Sequence, residues 1–301
     1  MSTNIAWTDE VWNPTTGCAK VSSGCKNCYA EGVANRFWAR QYPEVDGRPR
    51  RFTDVQCHPD RLERPLHWTK PRRVFVNSMS DLFHEDVPDE FIDRVFDVIA
   101  LAEKHTFQVL TKRPERMRDY VKRRIEERPF YMVPWPLPNV WLGVSVEDQE
   151  TADARIPELL ATPAAVRWVS LEPQLGPVDL TYVDHINALY PDWVGGKGGG
   201  TGAPHPLLDW VVQGGESGAK ARPFDVQWAR DMRDQCEHEM VPYFLKQLGA
   251  KPYSEWERAI GSTPFAEVRR NELTLKSRAG ADESEWPEDL RQCRAWPKVP
   301  S

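Results

Sequence analysis

Apolar residues fall along the chain in short runs that each end on polar groups. Arg73–Val76, Phe107–Leu110, Val140–Val144, Val166–Leu171, Leu208–Val212 and Val241–Leu245 are such runs. Each is rich in β-branched or aromatic residues and too short for a core helix, so each predicts a strand. Between several of them the apolar period lengthens to that of a helix. From Asp89 to Lys104, the side chains of Phe91, Val95, Val98, Ile99 and Ala102 share one face, and Pro114–Arg128 and Asp225–Met240 read the same way. Pro88-Asp89 and Asp225 stand where helices start. Strands alternating with helices predict βαβ units, a parallel sheet and right-handed crossovers. With one strand in the N-terminal segment, the expected fold is α/β: a partial or complete (β/α) barrel of about six to seven parallel strands over residues 1–250.

In such a barrel the site gathers at the C-terminal ends of the strands. Those ends read Asn77–Asp81, Thr111–Arg113, Ser145–Asp148, Glu172-Pro173, Gln213–Ser217 and Lys246-Gln247. Glu or Lys directly after an apolar run marks Lys112, Glu147, Glu172 and Glu216. Carboxylates crowded on one rim raise one another's pKa and can do acid–base work. The same glutamates can instead pair with Lys112, Arg113 or Lys246.

Two regions depart from the pattern. Residues 182–206 hold the glycine-rich Gly195–Gly202. Its lysine is not followed by Ser or Thr, so it is no phosphate-binding P-loop and reads as a flexible insertion. Residues 251–301 are polar without a strong period and read as a C-terminal extension, a lid or a packing arm.

Composition narrows the class. The 301 residues are 40% hydrophobic with a net charge of -6, which argues against broad electrostatic binding of nucleic acid but leaves room for a local basic patch. The chain has no apolar run of about 18 residues and no leader-like start, so neither a membrane span nor a signal peptide is expected. The expectation is a cytoplasmic protein with reduced thiols.

Cysteine placement is the most specific chemical feature. Three of the six cysteines, Cys18, Cys25 and Cys28, share one loop with Cys-x6-Cys-x2-Cys spacing, and Cys57, Cys236 and Cys293 are scattered. Zinc would need a fourth ligand, which Cys57-His58 would have to bring from a distance. A redox dithiol at Cys25 and Cys28 leaves Cys18 unexplained. A [4Fe–4S] cluster on three thiolates explains all three, although such clusters ordinarily take four. Gly17 and Gly24 would let the backbone turn tightly around it. Lys20 and Lys26 would offset thiolate charge. Tyr29 would pack on the cluster, on a bound base, or in the core.

Trp12–Cys18, Cys25–Ala30, Val76–Asp81, Val109–Pro114, Ser170–Pro173, Gly214–Ser217 and Phe244–Gln247 together resemble the phage and prophage family of radical-SAM-like proteins, within the radical SAM superfamily and distantly similar to spore photoproduct lyase. The resemblance implies a cluster held by Cys18, Cys25 and Cys28, with S-adenosylmethionine on the open iron. It further implies a 5′-deoxyadenosyl radical that modifies or repairs a substrate, and an electron donor of flavodoxin or ferredoxin type. The six-residue first gap departs from the superfamily's usual three, and Gly214-Gly215-Glu216 follows a later strand than the superfamily's Gly-Gly-Glu element. Ser78, Ser80 and Asp81 are therefore the expected methionine-end contacts. Tyr29, Lys112, Glu147, Glu172, Gly214, Gly215 and Glu216 are the other expected cofactor contacts. The substrate expected is DNA or a nucleotide, because basic stretches at Lys70–Arg73 and Lys112–Arg124 can track phosphates and aromatics can stack on an extruded base. The contrasting reading is a non-enzymatic nucleic-acid-binding module stabilised by zinc or a cluster.

Overall fold

A computed structural model of the chain describes residues 5–127, 135–190, 207–259 and 266–297. Its strands are β1 (Glu10–Trp12), β2 (Thr15–Thr16), β3 (Gln56–Cys57), β4 (Arg73–Val76), β5 (Thr106–Thr111), β6 (Val140–Ser145), β7 (Val166–Leu171), β8 (Trp210–Gly214), β9 (Phe224–Asp225), β10 (Tyr243–Gln247), β11 (Pro252–Ala259) and β12 (Ala266–Glu272). Its α-helices are α1 (Tyr29–Gln41), α2 (Asp89–Leu101), α3 (Pro114–Glu127), α4 (Gln149–Leu160) and α5 (Val226–His238).

Seven strands form one sheet in the order β1-β4-β5-β6-β7-β8-β10, and every pair in it is parallel. The sheet curls into a half-barrel with helices outside, a partial (β/α) barrel. Period-two alternation sorts its side chains. Phe107, Val109, Leu142, Val144, Val169, Leu171 and Leu245 point outward into the core shared with the helices, where α2 adds Phe91, Ile92, Val95, Phe96 and Ile99. Each such burial is worth about 1.5–3 kcal/mol. The inward positions form a second core of Trp7, Trp141, Val166, Trp168, Trp210, Val212 and Phe244, with Phe75 and Leu110 beside it. Gly143 makes room for it, since a Cβ there would sit 2.5 Å from the Trp168 indole nitrogen.

An open half-barrel leaves an edge strand, which natural sheets cover. The tail does this for β10: Leu245 N–H donates to Cys293 O (2.7 Å) and Ala295 N–H to Tyr243 O (2.9 Å). Trp296 then packs edge-on against Phe244 at 4.9 Å and lies 4.8 Å from the Arg73 guanidinium of β4. Residues 293–296 thus pack along β10 and reach across to β4.

Several elements went unforeseen in the sequence, among them α4, the short strands β2, β3 and β9, and the β11–β12 ribbon. The helix α4 carries Pro157 and a mixed face, but Asp148 and Thr151 form a reciprocal capping box at its start. The β11–β12 ribbon, paired in parallel with β9, lies in a stretch too polar to alternate. The glycine-rich stretch from 191 to 206 lies outside the described residues. Among the described residues, no helix is long and apolar enough to cross a membrane.

Candidate functional site

The alternation that places Trp141, Trp168 and Phe244 inside the curl also places the last inward residues of each strand on one rim. β5 delivers Lys112, β6 delivers Ser145 and then Glu147, β7 delivers Glu172, and β10 delivers Lys246. They meet as pairs. The Lys112 ammonium bonds Ser145 Oγ and Glu147 Oε1, and the Lys246 ammonium bonds Glu172 Oε1. Glu147 is wholly buried, with Arg155 Nη1 at 3.0 Å from Oε2 and Ser22 Oγ at 2.9 Å from Oε1. It lies beneath the cysteine loop and braces it. Glu172, Lys112 and Ser145 line the cavity.

The loop is fastened to several strand ends. Gly17, with φ +96°, passes so close to Phe52–Val55 that a Cβ would sit 2.8 Å from Asp54 O. Its N–H donates to Met79 O (2.9 Å) and that of Cys18 to Phe52 O (2.9 Å). Farther on, Arg222 Nη1 donates to Ser23 O (2.8 Å), and Asn27 Nδ2 to Glu216 Oε2 (3.0 Å) and Lys220 O (2.9 Å). Gly24 rests on Glu147, where a Cβ would lie 2.4 Å from Oε1. Cys28 stands at the N-cap of α1.

Cys18, Cys25 and Cys28 line one cavity of about 870 Å³, with Phe75 and Leu110 also in its wall. All three are free thiols. Burial pushes Cys18 up to about 12, Asp81 adds to the shift, and Arg113 opposes it. Burial also raises Cys28, against the Glu31 and Ala30 N–H groups at the start of α1. Among the described residues no three of His, Cys, Asp and Glu converge as ligands of one ion. Neither Cys57 nor His58 lines the cavity: His58 is buried with Nε2 2.7 Å from Thr16 Oγ1.

The other expected residues divide between lining and bracing. Ser78 and Ser80 line the cavity, held by Asn13 and Thr15. Asp81 also lines it, but both oxygens are taken: Oδ1 accepts from Thr111 Oγ1 (2.8 Å) and Phe83 N (3.0 Å), and Oδ2 from Lys112 N (3.0 Å) and Arg113 Nη1 (3.2 Å). Glu216 is gripped by Arg222 through Nη2 (2.7 Å) and Nε (3.0 Å). Burial alone would raise its pKa, but the Arg222 and Asn27 hydrogen bonds win and hold it low. Gly215 lines the cavity and also lets the strands approach, since a Cβ on it would stand 2.4 Å from Leu248 O; Gly214 is not in the lining, and a Cβ there would meet Gln247 Cγ at 3.3 Å. Tyr29 is 74% exposed at the cavity wall and takes no part in the core.

Residues that the strand-end reading passed over include Ser22 and Asn27, which the cysteine spacing brackets, and Arg155 and Arg222, whose sequence neighbourhoods carry no distinguishing pattern. Asn77 and Arg113 had a signal, since Asn77 directly follows β4 and Arg113 is the second residue after β5 on this rim. Asn77 has φ +64°, and its Nδ2 is buried without a partner.

No curated protein and no solved structure matches the chain. A family described as "Protein of unknown function (DUF5131)" matches residues 2–288. That span is nearly the whole chain and takes in the cysteine loop, the seven-stranded sheet and the cavity between them, so the protein belongs to that family.

Proposed function

We propose that the protein is a radical SAM enzyme: Cys18, Cys25 and Cys28 hold a [4Fe–4S] cluster, and the same cavity takes S-adenosylmethionine and a substrate. The observation that carries this reading is the meeting of three free thiols on one cavity at the C-terminal rim of a parallel half-barrel, with no fourth cysteine in the lining. The donor set fits the group. Three free thiols line one cavity, and the Arg113 guanidinium, with Nη1 3.7 Å from Cys18 Sγ, suits a negatively charged assembly. Held by Cys18, Cys25 and Cys28, such a cluster would supply one-electron reductive cleavage of a bound sulfonium.

The chain's own residues bind, orient and exclude. Ser78 and Ser80 border the methionine end, and the unpaired Asn77 Nδ2 is a donor suited to a carboxylate. Glu172 suits ribose hydroxyls. Phe75 and Leu110 keep that part of the wall apolar. Lys26, Arg36 and Lys220 line the cavity without an acidic partner among the described residues, and exposed Tyr29 lies in the same wall. Unpaired cations beside an open ring face favour an anionic planar substrate, DNA or a nucleotide. A flavodoxin- or ferredoxin-type protein would deliver the electron.

Anaerobic reconstitution with iron and sulfide, then dithionite and S-adenosylmethionine, tests the reading. The expected result is a brown protein with about four iron and four sulfide per chain that releases 5′-deoxyadenosine, and a Cys25→Ala variant without the cluster. A colourless zinc protein, or a cluster indifferent to the cofactor, would favour the non-enzymatic binding module instead. Binding to a single-stranded oligonucleotide at low salt should weaken steeply as salt rises.

A further inference from the structure

Arg113 follows Lys112 at the end of β5 and is held from several sides. Its Nε donates to Glu85 Oε2 at 2.9 Å and its Nη1 to Asp81 Oδ2 at 3.2 Å. The same Nη1 lies 3.7 Å from Cys18 Sγ. Asp81 cannot swing away, because Thr111 Oγ1 and the Phe83 and Lys112 N–H groups fix it. The remaining nitrogen, Nη2, is buried and has no acceptor. A desolvated guanidinium N–H with nothing to bond is costly. The guanidinium is planar and rigid, so Nη2 shares a plane with the nitrogen that reaches the thiol. The other two thiols differ. Cys25 has Ser22 Oγ at 3.9 Å, and Cys28 has the N–H groups at the start of α1.

We infer that Arg113 is a positioning residue for the cluster, donating through Nη1 to the Cys18 thiolate and setting its fixed positive charge beside that ligand. The inference rests on the cluster reading above. Its consequence is electronic. An added electron makes the assembly more negative, and a fixed guanidinium beside one ligand stabilises that state. Without Arg113 the Asp81 carboxylate also faces Cys18 uncompensated, which opposes reduction further. Lys112 cannot replace it, because its ammonium is already committed to Glu147.

The test is a spectroelectrochemical titration of the reconstituted full chain without S-adenosylmethionine, comparing wild type with Arg113→Gln and Arg113→Lys. Arg113→Gln should bind the same iron and sulfide as wild type, with its midpoint shifted to more negative potential. Arg113→Lys keeps the charge but loses the fork, and should shift in the same direction by less. If Arg113→Gln fails to fold or to load, Arg113→Lys decides by the same criterion. A loaded variant with the wild-type midpoint overturns the role of Arg113 and leaves the cluster reading intact. A wild-type chain that takes up no cluster overturns both.

Discussion

Replacing Glu147 by Gln keeps the shape of the side chain and removes its charge beneath the cysteine loop. Glu147 is fully buried, while the side chains of its partners Lys112 and Arg155 are 20% and 9% exposed. Lys112 can turn toward the cavity and recover solvent. Arg155 cannot, and its charge is left with neutral acceptors alone, the Ser145 carbonyl at 2.6 Å and the new amide oxygen. Removing one member of a buried ion pair costs about 3–5 kcal/mol, because the other is left uncompensated. The escape of Lys112 puts this case at the low end, about 3 kcal/mol. For a chain of 301 residues, an unfolding entropy of about 2.1 cal/mol/K per residue turns that into a Tm lower by about 5 °C. The assay is urea and thermal unfolding of wild type, Glu147→Gln, and Glu147→Gln with Arg155→Met. Removing the stranded charge in the double variant should restore about 1–2 kcal/mol. A Glu147→Gln protein within about 0.5 kcal/mol of wild type, the usual range of a surface change, would refute the bracing role.

Gly24→Ala puts a Cβ 2.4 Å from a Glu147 oxygen that is itself pinned, so the loop must yield. A loss of about 1–3 kcal/mol is expected, with faster hydrogen exchange in residues 17–29, and unchanged exchange would argue against tight packing there. His58, lowered by burial from 6.5 to about 4, stays neutral while the unfolded chain takes up a proton. Its stabilisation is therefore complete above the unfolded value and is lost as pH falls between the two, up to about 3 kcal/mol. Denaturant midpoints at neutral and acid pH should fall less for His58→Gln than for wild type, and equal falls would exclude the effect. Trp286→Ala empties a site that is 1% exposed and breaks the indole bond to Gly280 O at 2.8 Å. The expected cost is about 3–5 kcal/mol, with aggregation on heating, read by light scattering, as the β10 edge is uncovered.

Much of the architecture is written in local pattern. Arg73–Val76 and Val166–Leu171 are strands with the bounds their apolar runs predict, and α2 starts at Asp89 as its preceding proline signals. Strand type follows from alternation and length, and a parallel sheet follows from strands that alternate with helices. The shared rim follows as well, since every parallel strand ends on the same side. A strand end therefore tells which residues arrive at the site, and three cysteines in one loop announce themselves by spacing alone.

What each arriving residue does was settled by contacts between segments far apart in the chain. Glu147, Glu172 and Glu216 look alike in sequence, each a glutamate after an apolar run. Folding buries Glu147 under Ser22, pairs Glu172 with Lys246, and hands Glu216 to Arg222 and Asn27. Asp81 reads as an open carboxylate, yet donors from β5 and from its own turn fill it. Gly214-Gly215 reads as one ligand loop, yet only Gly215 reaches the cavity, where its missing Cβ also admits Leu248. The sequence by itself determined the sheet, its polarity and the cysteine trio, because these depend on periodicity within a few residues. Only the tertiary structure decided which charges stay free, because desolvation and pairing depend on neighbours that the chain brings together from far apart.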